Sequence, residues 1–330
     1  MKIFHGRDAL PRRLKRPVVL TIGNFDGVHV GHQALLRHVV RRARALRGTA
    51  AVLTFDPHPV KLLNPDRRLK LLTAREEKRW LIGETGVDAI VCFPFTRAFS
   101  RLSPETFVRK VLVEGLRVDE VVVGHDYAFG HGRMGTIDLL RALGHRYHFH
   151  VHSFGPVKVG GMIASSSNVR FLLAEGKVEK AARLLGRPYT LSGHVVHGAG
   201  RGAGLGFPTA NLHLHGELIP KPGVYVVRAR VGRASYNGVA NLGTDPTFGG
   251  TTMKYEVHLF NLKKDLYGKP LIVEFLKRLR DEKKFSSPAV LVAQIRRDVA
   301  RAKRFFVSAR SARPARAARS TRLVRAGRRS

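Results

Sequence analysis

The chain has 330 residues, of which 44% are hydrophobic and 25% charged, a balance typical of folded globular protein with room for about two domains. The sequence has no apolar run as long as the ~18–20 residues of a membrane-spanning helix, and its basic N-terminus lacks the apolar core of a secretory signal. The single cysteine, Cys92, excludes an intrachain disulfide and a cysteine-based zinc site, so we expect a cytoplasmic protein. Lys and Arg number 59 against 24 Asp and Glu, and this net charge of +35 attracts the phosphates of nucleic acids, nucleotides and anionic metabolites alike.

The first half of the chain alternates strand-like and helix-like stretches. Gln33–Leu46 places its apolar residues on one face of a predicted helix. Apolar strands separated by helices predict an α/β domain whose parallel sheet is covered on both faces. Such sheets bind ligands beyond the carboxyl ends of their strands, so the segment after Gly23 is the first candidate site. The strand-like runs are Val18–Gly23, Ala50–Phe55, Val87–Phe93 and Asp119–Gly124.

From about residue 188 the pattern changes to short strands broken by Gly, Pro and Asn, which predicts a mainly-β domain with an antiparallel sheet or a small barrel. A helix over Ser286–Phe306, with Pro288 in its first turn, is expected to close it. The boundary at Gly186–Pro188 divides the chain into domains at 1–187 and 188–306. The strand-like runs are Gly193–Val196, Gly223–Val231, Ser235–Leu242, Met253–Phe260 and Leu271–Leu276.

Residues 307–330 contain eight Arg and no acidic residue among mostly Ala and Ser. Such a segment buries too little apolar surface to offset the entropy of ordering, so we expect a disordered basic tail. Two interpretations stay open: a solvated extension, or a contact with nucleic acid or a membrane surface.

The segment Gly23–His32 (GNFDGVHVGH) joins the first strand to the first helix. Its glycines allow close backbone approach, and the helix N-terminus offers unpaired N–H groups with partial positive charge. His29 and His32 would stand there as phosphate donors, because imidazolium stabilises charge that builds on a leaving pyrophosphate. The alternative is a loop whose histidines merely cap the helix.

A second Gly-rich segment, Gly204–Asn211 (GLGFPTAN), lies in the other half. The Thr209 hydroxyl and the Asn211 carbonyl are oxygen ligands of the kind that Mg²⁺ prefers, and the glycines allow a phosphate to approach the backbone. The alternative is a plain turn.

The Gly23–His32 run resembles the ATP-binding motif of nucleotidyltransferases and, more narrowly, the N-terminal module of the bacterial bifunctional riboflavin kinase/FAD synthetase family. Further segments match that family in order, and together the resemblance covers about residues 18–306. In the first half they are Thr54–Pro59, Val123–Gly130 and Ser165–Ser167 with Arg170. In the second half they are Gly206–Asn211, Gly223–Tyr225, Asn241–Phe248, Glu256–His258, Asp265–Gly268 and Leu279–Glu282 leading to Phe285.

The resemblance implies a Rossmann-like nucleotidyltransferase domain with a doubly wound parallel sheet, followed by a small antiparallel β-barrel closed by a C-terminal helix. The barrel would phosphorylate riboflavin to FMN with ATP and Mg²⁺. The N-terminal module would then transfer an adenylyl group from a second ATP to FMN, which gives FAD and pyrophosphate. Riboflavin, FMN and ATP are thus the expected partners, with no membrane, and nucleic acid at most in weak contact with the tail.

The family's motif positions also imply site residues. The catalytic set is Glu256, His29 and His32. ATP of the adenylyltransferase would be bound by Gly23, Asn24, Phe25, Asp26, Gly27, His29, Gly31, His32, Asp126, Ser166, Ser167 and Arg170. ATP of the kinase would be bound by Gly204, Gly206, Phe207, Pro208 and Thr209, and the metal by Thr209 and Asn211. The flavin is assigned to Glu256, Arg280 and Phe285, although spacing alone would leave Glu256 as an outward-facing strand carboxylate.

Two departures from the family pattern remove a guanidinium. Ile163 precedes the serine run and Ala203 precedes the kinase motif, each where the family often has an Arg. They favour one alternative, a chain that retains only one of the two activities. The charge of +35 favours another, a nucleic-acid-binding protein on a nucleotide-binding scaffold. The sequence does not predict the oligomeric state.

Overall fold

A computed structural model describes residues 1–6, 14–198, 204, 206–245, 250–262 and 264–311. The N-terminal half is built on six strands: β1 (Lys2–His5), β2 (Val18–Ile22), β3 (Thr49–Asp56), β4 (Ala89–Pro94), β5 (Glu120–Gly124) and β6 (His150–Phe154). They form one sheet in the order β1-β4-β3-β2-β5-β6, and every neighbouring pair is parallel. The carboxyl ends of β2, β3 and β5 therefore lie side by side at one edge.

Helices and short turns connect these strands. The helices are α1 (Val30–Ala45), α2 (Pro59–Leu63), α3 (Arg75–Gly83), α4 (Arg97–Ser100), α5 (Pro104–Phe107), α6 (Ile137–Tyr147), α7 (Ser166–Ala174) and α8 (Val178–Leu185). A π-helical turn, Val108–Val113, extends α5, 3-10 turns cover Pro65–Arg67 and His131–Arg133, and a small hairpin pairs β7 (Lys158–Val159) with β8 (Met162–Ile163).

Side chains of the central strand alternate between two apolar cores. Leu20 and Ile22 pack with the π-helical turn and α6, whereas Val19 packs with α1 and α3 on the opposite face. A sheet buried on both faces by helices is doubly wound, which confirms the predicted fold of the first half.

The second half is a closed antiparallel barrel. Its strands are β9 (Tyr189–Val196), β10 (Ala210–Leu214), β11 (Gly223–Val231), β12 (Ala234–Asp245), β13 (Gly250–Leu259) and β14 (Pro270–Arg280). They are connected in the order β10-β13-β12-β11-β14-β9, and the pairing of β9 with β10 closes the ring. The predicted small barrel is thus confirmed.

The final helix, α9 (Pro288–Ser311), covers one side of the barrel. Ala302 and Phe306 on this helix are buried against Val226 of β11. The helix continues through Ser311, five residues into the segment predicted as a tail, since Ala, Arg and Ser can extend a helix that is already nucleated by packing. Residues 312–330 of that tail lie outside the described residues.

The two halves share a core where α7 and α8 meet the barrel. Leu172 and Leu184 of these helices belong to the same buried cluster as Tyr189 and Phe275 of the barrel strands. The barrel is therefore fixed to the N-terminal domain by apolar packing as well as by the chain. Within the described ranges, no helix has both the length and the apolar character needed to cross a bilayer.

Candidate active sites

The Gly23–His32 loop leads from the carboxyl end of β2 into α1 with an unusual backbone. Phe25 has φ of 51° and Val28 has φ of 39°, and both lie in the left-handed region that such side chains rarely adopt. Both side chains are buried, at 1% and 0% exposure, and this packing holds the conformation. The Phe25 ring lies beneath Gly23, so it shapes the loop, and any contact of Phe25 with a nucleotide falls to its backbone. Strained backbone of this kind is characteristic of ligand-binding loops.

His29 and His32 lie together at the start of α1. Their rings stack with centroids 3.6 Å apart, and His29 caps the helix because its Nδ1 accepts the N–H of His32 at 3.3 Å. A neutral His29 ring must therefore carry its proton on Nε2. Burial, with Arg187 nearby, lowers the pKa of His29 to about 4, and burial beside His29 lowers the pKa of His32 well below its usual range.

The two imidazoles are thus neutral at pH 7 in the absence of a ligand, which differs from the predicted imidazolium. The difference arises from desolvation, which a sequence motif does not reveal. An anionic phosphate beside the rings would raise both pKa values. The Nδ1 atom of His32 is buried and has no hydrogen-bond partner among the described residues.

Asp26 ties two segments, Leu72–Thr73 and the start of α7, to the loop. Its carboxylate accepts the backbone N–H groups of Leu72 at 3.0 Å and Thr73 at 3.3 Å, and it forms an ion pair with Arg170 of α7. Ser166 donates its hydroxyl to the carbonyl of Asp26 at 2.8 Å. Burial raises the pKa of Asp26, although Arg170 opposes that shift. Three residues predicted to bind ATP therefore also bind one another, and they bring the start of α7 against the loop.

The remaining predicted residues of this site lie along the same edge. Asp126 is exposed just after β5, with Oδ1 3.3 Å from the position of a Cβ on Gly124. Gly31 is close to a neighbouring backbone, since a Cβ there would fall 3.1 Å from the carbonyl oxygen of Ala164. The Gly27 N–H donates to the Thr73 hydroxyl, the Asn24 carbonyl lies 3.4 Å from the Thr54 hydroxyl, and Ser167 is exposed in the first turn of α7.

Lys78 of α3 is a member of this site that sequence reasoning missed. Its ammonium lies 3.4 Å from the carbonyl of Asn24 and 3.4 Å from the hydroxyl of Thr54, so it sits at the carboxyl ends of β2 and β3. Burial lowers the pKa of Lys78, which is the expected effect of holding a cation away from water. No local motif marks this lysine, because it reaches the loop only through the packing of α3.

A cavity of about 340 Å³ opens between the two halves of the chain. Asp26, His58 and Lys78 line it on one side, and Ser192 and His215 of the barrel line it on the other. His58, from the Thr54–Pro59 segment, caps α2 by accepting the N–H of Val60, and burial lowers its pKa to about 4. Of the residues predicted to bind ATP in this half, Asp26 lines the cleft, beside the Thr54–Pro59 segment, and the barrel forms its other wall.

The second site lies on the outside of the barrel, along a row of residues that are directly opposite one another on adjacent strands. Glu256 of β13 is directly opposite Asn211 of β10 on one side and Asn241 of β12 on the other. Residues directly opposite in antiparallel strands share a face, so the predicted base stands beside the predicted metal ligand. Val257, the next residue along β13, is buried in the barrel core, which leaves Glu256 on the outer face.

The kinase motif is attached to this row by His258. Its Nδ1 donates to the carbonyl of Pro208 at 2.9 Å, and its ring meets Phe207 edge to face at 5.6 Å. Gly206 has φ of +82°, and Gly204 and Gly206 both face open space where a Cβ would stand. Thr209 is half-buried, two residues before Asn211.

The two remaining flavin candidates contact each other. The guanidinium of Arg280 lies 5.6 Å from the ring centre of Phe285, and its Nε donates to the buried carboxylate of Asp298 in α9 at 2.8 Å. Arg280 also continues the row of Glu256, since it pairs with Val224 of β11, which pairs with Asn241. Three inter-strand steps place Arg280 about 14 Å from Glu256 along this row.

Of the two departures, Ile163 is exposed on β8 and its carbonyl accepts the amide N–H of Asn168. Ala203 lies outside the described residues. In the part of the chain that the structure describes, no group of three or more His, Cys, Asp or Glu side chains is arranged to hold a metal ion.

Comparison with known proteins also separates the chain into two halves with different family matches. A family model for FAD synthetase matches residues 12–168, and one for riboflavin kinase matches residues 185–306. The bifunctional riboflavin kinase/FMN adenylyltransferase of Escherichia coli K12 is 41% identical over 307 residues, which are 93% of this chain and 98% of that protein. The chain belongs to the bifunctional riboflavin kinase/FMN adenylyltransferase family.

Two further comparisons agree with this family membership. The bifunctional riboflavin kinase/FMN adenylyltransferase of Pseudomonas fluorescens is 39% identical, over 92% of this chain and 97% of that protein. The crystal structure of a macrolide-efflux protein from Streptococcus pneumoniae superimposes with a TM-score of 0.81 at 31% identity, over 90% of this chain and 97% of that one. The chain therefore shares its fold with a solved structure over both of its halves.

The neutral histidines predict an acid-sensitive N-terminal domain in this family member. The unfolded chain binds protons near pH 6.5, whereas folded His29 does so only near pH 4, so stability should fall as the pH drops through this window. The full shift corresponds to about 3 kcal/mol for this buried ring, of which about 2 kcal/mol is lost between pH 7 and pH 5. The free energy of unfolding is measured by urea titration with Trp80 fluorescence at pH 7 and pH 5. In His29→Asn, whose side chain cannot be protonated, this free energy should depend less on pH. An unchanged slope in that variant would contradict the assignment.

Proposed function

We propose that residues 188–306 phosphorylate riboflavin with ATP to give FMN, and that residues 1–187 transfer an adenylyl group from ATP to FMN to give FAD and pyrophosphate. The observation that carries this proposal is the presence of two separate constellations in one chain. One is the stacked His29 and His32 at the start of α1, and the other is Glu256 flanked by Asn211 and Asn241. Membership of the bifunctional family supports the same pair of reactions.

Adenylyl transfer needs no general base in this site. A phosphate oxygen of FMN forms a bond to the α-phosphorus of ATP, and the bond from that phosphorus to the bridging oxygen of pyrophosphate breaks. The nucleophile is already anionic, so the protein's task is in-line positioning and stabilisation of the leaving charge. The Nε2–H of His29, His32, the free N–H groups of α1 and the Lys78 ammonium are suited to that role. Asn24, Asp126, Ser166, Ser167 and Arg170 would help to seat the nucleotide.

Phosphorylation of riboflavin does need a base, because an alcohol is a poor nucleophile at neutral pH. Glu256 would take the proton of the ribityl 5′-hydroxyl as its oxygen bonds to the γ-phosphorus of ATP, and the bond to the ADP oxygen breaks. Arg280, farther along the same row, and Phe285 beside it would contact the ring end of an extended flavin. The Gly204–Thr209 segment would carry the ATP phosphates.

The residues beside Glu256 fit a magnesium ion, which we include in the proposal. Thr209 and Asn211 offer hard oxygen ligands, and the Asn211 amide is packed so closely on Gly198 that a Cβ there would fall 2.0 Å from its Nδ2. A bound Mg²⁺ would supply positive charge that offsets the negative charge of the phosphates during transfer. Asn211, held in register between β9 and β13, would orient it next to the base.

We expect Lys78→Met to lower the rate of FAD formation about 100-fold, because it removes a cation aimed at the charge that develops in transfer. Met keeps the length and apolar stem of the side chain, so packing of α3 should persist. The measurement is FAD formation from FMN and ATP, with riboflavin phosphorylation by the same sample as the control. A wild-type rate of FAD formation in the variant would show that Lys78 does not take part in adenylyl transfer.

The decisive experiment incubates the purified protein with riboflavin, ATP and Mg²⁺ and separates FMN from FAD by chromatography. Both products are expected in sequence. Accumulation of FMN without FAD, or FAD formation only from supplied FMN, would instead establish the alternative with one retained activity. A weak contact of the basic tail with nucleic acid stays a prediction.

A further inference from the structure

Arg187 lies at the junction of the two domains, between α8 and β9, and its side chain is only 21% exposed. The guanidinium turns back onto the N-terminal domain. Its Nη2 donates to the carbonyl of Gly27 at 3.0 Å, and its Nη1 lies 3.5 Å from the carbonyl of Val28 and 3.4 Å from that of Leu185. Arg187, which lies in the linker between the two domains, thus forms hydrogen bonds with the strained loop that precedes His29.

Gln33 strengthens the same contact from the side of α1. Its amide donates to the carbonyls of Val28 at 2.9 Å and Leu185 at 2.8 Å. Gly186, with φ of +71°, ends α8 so close to α1 that a Cβ on it would fall 3.0 Å from Val30. The end of α8 is therefore seated directly on the first turn of α1.

The barrel takes part through Glu77 of α3. Thr190, the second residue of β9, donates its hydroxyl to the Glu77 carboxylate at 2.6 Å, and that carboxylate lies 4.0 Å from Arg187 Nη2. A continuous set of polar contacts thus runs from the first barrel strand to the loop.

The hydrogen bonds of Arg187 to the loop carbonyls affect the position of His29 through the loop backbone. The carbonyl of Gly27 shares a rigid peptide plane with the N–H of Val28, and the carbonyl of Val28 shares one with the N–H of His29. Holding both carbonyls fixes both planes, and with them the position of the His29 ring. These bonds add to the apolar packing that holds Val28 at φ of 39°.

We propose that Arg187 is a positioning residue for adenylyl transfer, which holds the Gly27 and Val28 carbonyls and makes the attached barrel part of the working adenylyltransferase site. This inference rests on the proposed function. A positioning error of about 1 Å can cost about 100-fold in rate, so loss of Arg187 should act on kcat.

The test compares Arg187→Ala with Arg187→Lys and with a matched control, Arg42→Ala. Arg42 also makes a paired contact in the N-terminal domain, to Glu120 at 2.9 and 2.8 Å, but at the amino end of β5 and away from the loop. We expect Arg187→Ala to lower kcat for FAD formation from FMN by about 10- to 100-fold, with a smaller change in KM for ATP. Arg187→Lys, which retains one donor, should recover part of the loss. Riboflavin phosphorylation in the same samples should stay within about twofold, and Arg42→Ala should keep both activities.

A second readout does not depend on activity. Hydrogen–deuterium exchange of the peptide covering residues 23–33 should speed up in Arg187→Ala and not in Arg42→Ala. Unchanged exchange in Arg187→Ala would overturn the inference, as would full FAD formation by that variant or an equal loss of kinase activity. If the wild type formed no FAD, the proposed function would fail, and exchange in the loop would still decide whether Arg187 holds it.

Discussion

Glu256→Gln is expected to lower the rate of FMN formation by about 10²–10⁴-fold, while FAD formation from supplied FMN stays close to the wild-type rate. The amide has the shape of the carboxylate but cannot accept the proton of the attacking hydroxyl. Because Asn211 and Asn241 lie directly opposite on the adjacent strands, an amide at position 256 also fits the row sterically. The measurement is the initial rate of each half-reaction in the same preparation.

Glu274→Gln is the matched control for this variant. Glu274 is a carboxylate on barrel strand β14 that forms surface ion pairs with Arg228 and Arg230 at 3.8 and 3.6 Å, away from the Glu256 row. Its loss should leave FMN formation unaltered. If Glu256→Gln still phosphorylated riboflavin at the wild-type rate, or if both carboxylate variants lost it equally, the role of Glu256 as base would be untenable.

The sequence could predict the fold wherever burial was uniform. β2, β3, β4 and β5 are continuous apolar runs because both faces of the sheet are covered, and such runs stand out in a sequence. The edge strand β1 was not predicted, since Lys2–His5 is largely exposed and carries polar residues where a central strand has Val or Ile. β10 was hidden within the kinase motif, whose Gly and Pro indicate a loop rather than a strand.

The candidate sites likewise contain residues that a sequence motif identifies and others that only the packing of the fold brings in. Motif resemblance assigned His29, His32 and Glu256. The contacts of the two histidines come from their own loop, whereas Asn211 and Asn241 beside Glu256 come from other strands and were joined to it only by the barrel. The neutral state of the histidines could not be predicted, since it depends on how deeply the loop is packed. Lys78 and Arg187 contact loop residues that are 54 and 160 positions away in the chain, through the packing of α3 and α8, and no local pattern marks such a contact.

The combined substitution His29→Asn with His32→Asn is expected to lower FAD formation by about 10³-fold or more, since removal of a single preorganised donor typically costs about 10²–10³-fold. The kinase rate should stay within about twofold, because the barrel site shares no residue with this loop. Asn is chosen at position 29 because its Oδ1 can still cap α1 by accepting the backbone N–H of residue 32, so the helix start is preserved while the Nε2–H donor is removed.

His38→Asn is the control for this pair, since His38 lies on the same helix but packs against Phe154, with ring centres 5.5 Å apart, away from the loop. It should change neither activity. The single variants separate the two roles: His29→Asn should lose rate with little change in stability at pH 7, whereas His32→Asn should also destabilise the domain, because its ring is enclosed between His29 and Phe25. Rates of FAD formation that stayed at the wild-type level in the double variant would place the leaving pyrophosphate elsewhere, and an equal loss of FMN formation would show that the two reactions do not have separate sites.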